Sequence, residues 1–513
     1  LESAGVDEPK RFIEVYQLLH ELSVIAKNKG LVESFQEIAN RIGYVGMILS
    51  KSRSLEFIAS YDALIAHITE LVERHKYAKL SDYISLVDKM AIHNVSIRAK
   101  SVTSYPGKIN LMTTHKSKGL EYDSVYITHL NEGHWGGRRN NTYFLPIDAQ
   151  GAESLESDMA DERRLLYVAV TRAKKEVHLT YANRRLNGKE LLPSRFLEEM
   201  NSSLVKTEKV QTNPSKILTK IATTKPKQEL DIKNREYLSA LFLDSGFSVS
   251  ALNNYLTCPW RFFFQNLIRV PQVEERHQLY GTSIHEALRT FFDEYKNDRP
   301  MTKKDFLDYF EKTLNRKALS DSDYELFLKR GQESLGGYYD TYKGTWSKDI
   351  FNEFSISDVH IPVDVDGKAE QVLLRGQLDK IELHDGSANV VDYKTGNPKS
   401  RREIEGETAS SEGNYKRQLV FYKILIDQSA KSKFTMKTGE IDFVEPNKQG
   451  NYKKEKFEVT DADVAELIPV IKQAAKEILT LSFWDTNCKE PACGFCEMKK
   501  LMEAGEEIES KKK

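Results

Sequence analysis

The sequence predicts an α/β protein built in two successive parts, with helices running into each. Two observations carry this. Between residues 108 and 181, apolar strand-like runs alternate with a helical stretch, the pattern of an α/β layer. Further on, residues 373–396 read LLRGQLDKIELHDGSANVVDYKTG and alternate as two strands around His384-Asp385-Gly386-Ser387. An Asp-Gly pair between alternating runs is a strong hairpin signal. At 513 residues the chain is too long for one core, and about three domains are expected at ~150 residues each. The boundaries read as a helical segment over 1–100, an α/β domain over 101–200, a linker over 201–236 and a second α/β domain over 237–513.

Composition narrows the function only a little. The 75 basic residues are matched by 76 acidic ones, so a nucleic-acid surface has to come from local clustering of Lys and Arg. A hydrophobic content of 40% suits a globular chain, and no apolar run is long enough to span a bilayer. No signal peptide is expected from the opening residues. The four cysteines are Cys258, Cys488, Cys493 and Cys496. In a chain this long they suggest ligation in a reducing cytoplasm rather than a disulfide framework. The chain opens on Leu1 rather than Met, and a longer protein with a preceding N-terminal part is expected.

Taken in order, residues 1–95 repeat apolar pairs such as Phe12-Ile13, Leu18-Leu19 and Leu64-Ile65 at helical spacing, and nothing in them suggests chemistry. Residues 108–114 read as a strand that runs into His115-Lys116-Ser117-Lys118-Gly119-Leu120-Glu121. A second strand follows at Ser124–Ile127. Asp161–Lys174 reads as a helix with an apolar stripe, and Val177–Tyr181 as a strand. The blocks LMTTHKSKGLEYDSVYI and DERRLLYVAVTRAKKEVHL resemble motifs V and VI of the UvrD-like superfamily 1 helicases, with PSRFLEEM at 193–200 as the familiar ending. The resemblance implies a RecA-like second motor domain with a helical insertion. It places Glu121 near the nucleotide ribose of ATP, Arg172 as an arginine finger, and Thr114 and His115 beside single-stranded DNA. A planar, permanently charged fork suits that task in phosphoryl transfer. No phosphate loop and no paired acidic magnesium motif precede Lys108. The ATP site is therefore expected to be completed upstream of Leu1, and this stretch alone should not hydrolyse ATP.

Residues 201–236 are rich in Lys, Thr and Ser and read as a linker. Phe247–Leu252 opens the next domain, with Ser248 or Ser250 as a helix cap. A helix is expected to begin at Thr282, after Gly281, another at Gln418, and the last residues, Glu506–Lys513, read as a frayed tail.

In the hairpin, Asp379 falls on the first strand, and Asp392 and Lys394 fall two apart on the second, facing the same side. Two carboxylates and an ammonium gathered there suit a divalent metal, Mg²⁺ or Mn²⁺, and phosphodiester hydrolysis. His285, Asp379, Asp392 and the Tyr393 carbonyl are candidate ligands, Lys394 the candidate catalytic cation, and Gln418 and Tyr422 flank the site or the DNA. The ordered elements Gly281/His285, Gly376/Asp379, Asp392/Lys394 and Gln418/Tyr422 resemble the RecB-like branch of the PD-(D/E)XK nucleases.

The cysteines space as one early residue and a late C-x4-C-x2-C. Four thiolates suit an iron–sulfur cluster or a tetrahedral zinc, and spacing leaves both open alongside unliganded thiols. Cys258-Pro259-Trp260-Arg261-Phe262 resembles the early element of AddB-like domains, which implies a structural [4Fe–4S] cluster. The late group departs from that family's C-x2-C-x5-C, with Met502 standing where the third cysteine falls and Cys488 upstream.

Together these resemblances imply the C-terminal part of an ATP-dependent 3′-to-5′ DNA helicase–nuclease. It would act on single strands and duplex ends in double-strand break repair, with a possible second subunit. A standalone metal-dependent exonuclease and a non-catalytic DNA-binding scaffold are the alternatives.

Overall fold

A computed structural model describes residues 9–51, 54–99, 109–135, 153–185, 188–208, 232–409 and 411–510. The chain forms two compact units, one made of residues 1–107 with 229–513 and the other of 108–228.

The larger unit begins with α1 (Pro9–Asn28), α2 (Leu31–Arg41), α3 (Tyr44–Leu49), α4 (Ser54–Arg74) and α5 (Leu80–Ile92). Ile48, Leu49, Ile58, Tyr61 and Ile65 bury one face of α3 and α4 in the same core as the later sheet. The family resemblance groups these helices with the helicase part, whereas in space they pack with residues 229–513. A close approach makes this possible: a Cβ on Gly46 would lie 2.8 Å from Leu501 Cβ. Phe12, Tyr16 and Leu19 of α1 stay exposed.

The smaller unit places β1 (Tyr122–Ile127) parallel to β2 (Ala173–Leu179), in register at Val125 and Val177, with α6 (Glu153–Val170) between them in sequence. Ile127, Leu130, Leu166, Ala169 and Phe196 form its core. Residues 109–113, expected as a strand, form no strand among the described residues, and Ile109 and Leu111 are exposed. An apolar run without a neighbouring strand has nowhere to bury its side chains or backbone groups. The expected helix over 161–174 stops at Val170, so Thr171 and Arg172 form the turn into β2. Residues 209–231 of the expected linker, and residue 108, lie outside the described residues.

The larger unit resumes with α7 (Arg235–Ser245), α8 (Val249–Thr257), α9 (Pro259–Phe262), α10 (Arg276–Lys296), α11 (Lys303–Asn315) and α12 (Asp321–Tyr342). Ser248 caps α8 by accepting from Ala251 N at 3.2 Å. Next come β3 (Ile350–Val365), β4 (Lys368–His384) and β5 (Ser387–Lys394), then α13 (Arg401–Glu405), α14 (Asn414–Gln428), β6 (Thr435–Phe443), β7 (Lys453–Glu458), α15 (Asp461–Thr480) and α16 (Gly494–Ser510). The sheet runs β3-β4-β5-β6-β7; only the β5–β6 pair is parallel, and α14 makes the crossover. Asp385 and Gly386 both take left-handed φ, 48° and 77°, which a two-residue loop closing His384 on Ser387 requires. The helix expected from Thr282 begins earlier, at Arg276. Gly281 therefore lies inside it, where a Cβ would come within 3.3 Å of Thr395 Oγ1. The expected frayed tail continues the last helix to Ser510.

Both faces of the sheet are covered. Val390, Leu374, Leu378 and Ile441 pack with Leu419 and Leu425 of α14, while Val391 and Tyr393 pack with Ile284, Leu288 and Phe292 of α10. β5 is buried on both sides, which explains its unbroken apolar run.

Candidate active site and cysteine centre

The end of β5 gathers the polar groups. Asp392 is buried, and its Oδ1 accepts from Gln418 Nε2 at 2.7 Å and from the Tyr422 hydroxyl at 3.3 Å. Its Oδ2 lies 2.7 Å from Lys394 Nζ. Lys394 Nζ donates to Gln418 Oε1 at 2.9 Å, so Gln418 bridges the acid and the base from one helix. Gln418 and Tyr422, one turn apart on α14, also meet each other at 2.7 Å.

Asp379 and His285 complete the group from neighbouring elements. Asp379 Oδ2 accepts the Tyr393 backbone N–H at 2.9 Å and stands 3.4 Å from His285 Nδ1. The structure thus brings His285, Asp379, Asp392, Tyr393, Lys394, Gln418 and Tyr422 to one place.

The electrostatics follow from burial among mixed charges. Burial raises the Asp392 carboxyl above the usual range, against the pull of Lys394. Burial works to lower Lys394, but the charge of Asp392 and its hydrogen bond outweigh this, and the ammonium is held above its ordinary value. Burial also works to lower His285, and the hydrogen bond and charge of Asp379 reverse it. Tyr422 is pushed well above the phenol range by burial, so it stays a neutral donor.

Asp392 Oδ2 is buried and, apart from the Lys394 ammonium 2.7 Å away, has no partner. An open carboxylate oxygen beside a second carboxylate and an imidazole fits a divalent cation with oxygen and nitrogen ligands.

Glu353 belongs to this place, and no motif marks it. The β3–β4 register pairs Asn352 with Lys380 and Phe354 with Leu378, which sets Glu353 across from Asp379. Its φ is 50°, a left-handed conformation unusual for glutamate in a strand. Leu378 and Ile381 share one core although they are an odd number of residues apart, so the in–out alternation breaks at Asp379. Burial and the nearby Asp379 raise the Glu353 carboxyl above its usual range.

The four thiols converge from both ends of the domain. Cys258 Sγ lies 3.8 Å from Cys496 and 3.7 Å from Cys493, and Cys488 lies 3.6 Å from Cys496. All four sulfurs lie within 4.8 Å of one another. Four thiolates around one tetrahedral ion at ~2.3 Å stand about 3.8 Å apart. A four-iron cluster gives each thiolate its own iron and so holds the sulfurs farther apart. The spacing is close to that around a single ion; Met502 is fully buried, and Cys488 supplies the third late thiol beside Cys493 and Cys496.

In the smaller unit, Arg172 is tied to backbone carbonyls: Nε donates to Val168 O at 3.0 Å and Nη1 to Leu120 O at 3.1 Å. Glu121 is exposed next to that loop and lies 3.5 Å from Lys174. Thr114 and His115 open a 3₁₀ turn that ends at Ser117.

Two family models match successive parts of the chain. Residues 246–501 match the family model of the PD-(D/E)XK nuclease superfamily, and residues 11–184 that of the UvrD-like helicase C-terminal domain. The chain joins a UvrD-like helicase C-terminal domain to a PD-(D/E)XK nuclease domain. Similar curated proteins include the ATP-dependent DNA helicase Rep of Buchnera aphidicola subsp. Schizaphis graminum, 28% identical over 214 residues, 41% of this chain and 30% of that protein. DNA helicase II of Rickettsia typhi is 29% identical over 163 residues, 31% and 22% of the two chains. The Rep helicase of Escherichia coli is 33% identical over 141 residues, 27% and 19%. The chain thus spans less than a third of the length of these helicases. No described helix is long and apolar enough to cross a membrane.

Proposed function

We propose that this chain is part of an ATP-dependent DNA helicase–nuclease whose nuclease domain hydrolyses phosphodiester bonds with a divalent metal. The observation that carries the reading is the buried Oδ2 of Asp392, engaged only by the Lys394 ammonium and lying beside Asp379 and His285. His285, Asp379, Asp392 and the Tyr393 carbonyl would hold Mg²⁺ or Mn²⁺. When bound, the ion supplies Lewis acidity and a water of lowered pKa. Lys394, kept charged by Asp392, offsets charge on the attacked phosphate, and Gln418 fixes its position. Tyr422 and Gln418 hold the Asp392 carboxylate in one orientation, leaving Oδ2 for the ion. Glu353, opposite Asp379, adds a further carboxylate at the same place.

On the helicase side, Glu121 and Arg172 are read as parts of an ATP site completed by another motor domain, and Thr114 and His115 as contacts to single-stranded DNA. The finer reading is an exonuclease coupled to 3′-to-5′ unwinding of duplex ends in break repair, in the cytoplasm, with a second subunit as a possible partner. Tethering to a motor would hold freshly unwound strand at high effective concentration. The four gathered thiols support a structural metal centre acting as a clasp, either the [4Fe–4S] cluster that the resemblance implies or one zinc ion.

The test compares degradation of labelled DNA in Mg²⁺ by the wild-type chain, Asp392→Ala and Lys394→Ala. Loss of cleavage in both variants is expected; equal activity in all three overturns the assignment.

A further inference from the structure

A second polar pocket lies apart from the metal-site residues, on the other side of Gly376 along β4. It encloses about 360 Å³, and its walls include Ser245, Ser248, Gln265, Asn266, Arg269 and Arg375. Its construction depends on Gly246, which has φ 65° and whose Cβ would lie 2.3 Å from Leu373 O. Only glycine allows that approach. It lets Phe247 join the edge of β4, with Phe247 N donating to Leu373 O at 2.8 Å and Arg375 N donating to Phe247 O at 2.9 Å. Ser248 and the start of α8 are thereby fixed beside Arg375. The turn after α9 forms the facing wall and ends at Arg269, itself in a left-handed conformation with φ 51°.

Two guanidiniums therefore converge on one concavity. Other arginines in this domain, such as Arg276, Arg330 and Arg401, meet a carboxylate. Among the described residues neither Arg269 nor Arg375 has an ion pair, and Arg269 only donates Nε to Asn266 O at 3.4 Å. Burial, and then the like charge of Arg269, hold Arg375 below the ordinary guanidinium range, with Asp244 a weaker opposing influence. Two like charges pressed together beside hydroxyl and amide donors, without a carboxylate between them, are stabilised by an anion with several acceptor oxygens. The positive end of α8 adds to this.

We propose that this pocket binds a backbone phosphate of the nucleic-acid strand presented to the nuclease site. Arg375 precedes Asp379 by four residues on one strand, about 13 Å at ordinary strand rise, a spacing of a few nucleotides. The pocket would hold the strand upstream of the cut and set how far from its anchor the scissile bond falls. This rests on the nuclease reading.

The test uses the full chain, a fluorescent single-stranded oligonucleotide and EDTA, so that binding is measured without cleavage. Arg269→Gln/Arg375→Gln is expected to bind roughly tenfold more weakly, and the slope of log affinity against log salt is expected to shrink by about 0.7 per lost phosphate contact. Arg269→Lys/Arg375→Lys, which keeps the charges, should recover the slope, and thermal melting checks that each variant is folded. Unchanged affinity and slope in the folded glutamine variant overturn the proposal. So does a result in which inorganic phosphate loses its ability to compete while strand affinity stays at the wild-type level, since the pocket would then serve free phosphate. The two readings fail separately. A wild type that cleaves in Mg²⁺ alongside an unaffected glutamine variant rejects the pocket alone. A wild type that binds through the pocket but does not cleave rejects the nuclease alone.

Discussion

Gly376 allows the metal site to be tested without touching a ligand. A Cβ at this position would lie 2.6 Å from Leu425 Cδ1 and 3.8 Å from Tyr422 Cε1. Leu425 is fully buried and has little room to retreat. An ordinary carbon contact is about 3.5–4.0 Å, so Gly376→Ala requires β4 and α14 to separate by roughly 1 Å or Leu425 to leave its rotamer. Overpacking of this kind costs about 1–3 kcal/mol. The same helix carries Gln418 and Tyr422, whose contacts to Asp392 are 2.7 and 3.3 Å, and a shift of ~1 Å there can cost up to about a hundredfold in rate. The expected outcome is a lower melting temperature together with nuclease activity reduced by one to two orders of magnitude. Leu425→Val should relieve the clash, so the double variant should be more stable and more active than Gly376→Ala, with a coupling of about 0.5–3 kcal/mol. A Gly376→Ala protein with wild-type melting and cleavage would refute the argument. So would a double variant in which the two effects simply add.

Other outcomes follow from the same geometry. Glu353→Gly removes an L residue from left-handed φ, so the protein should gain up to about 1 kcal/mol in denaturant unfolding while losing cleavage; Glu353→Gln should lose cleavage without that gain. Metal analysis of anaerobically purified protein should find a metal held by the four thiols, iron with a brown chromophore for a cluster or one colourless zinc per chain for a single ion, and protein with neither would reject the metal centre. Cys258→Ala should release that metal and lower the melting temperature, measured alongside thiol titration. Gly46→Val should open residues 31–74 to hydrogen exchange while β4 and β5 stay protected; equal protection would mean that the Leu501 contact does not hold these helices.

The parts legible in the sequence were those fixed by local chemistry. The Asp385-Gly386 turn closes in the left-handed geometry that only such a pair adopts readily, and it sets the register that places Asp392 and Lys394 on one side. Ser248 caps its helix as its position before an apolar run suggests. The gathering of Cys258 with the late cysteines followed from residue type together with resemblance. Features that depend on distant partners were not legible. Glu353 reaches the site only through its register with β4, and the break in alternation at Asp379 has no signature in the hydrophobic pattern. Residues 109–113 alternate like a strand yet form none among the described residues. The packing of α2–α4 with residues 229–513 depends on one missing side chain, at Gly46, that no periodicity reveals.

The thiol cluster has a mechanical consequence. Cys258 and Cys496 are 238 positions apart, and all five strands β3 to β7 lie between them. An ion shared by the four sulfurs would turn that length of chain into a closed ring. Tension entering through the helices before Cys258 and leaving through the rest of the helix that carries Cys496 would be carried by metal–sulfur bonds, and the strand pairing inside the ring would be spared it. In a protein whose other half matches a helicase domain, such a clasp would let the nuclease be dragged along a strand without being unravelled by the load.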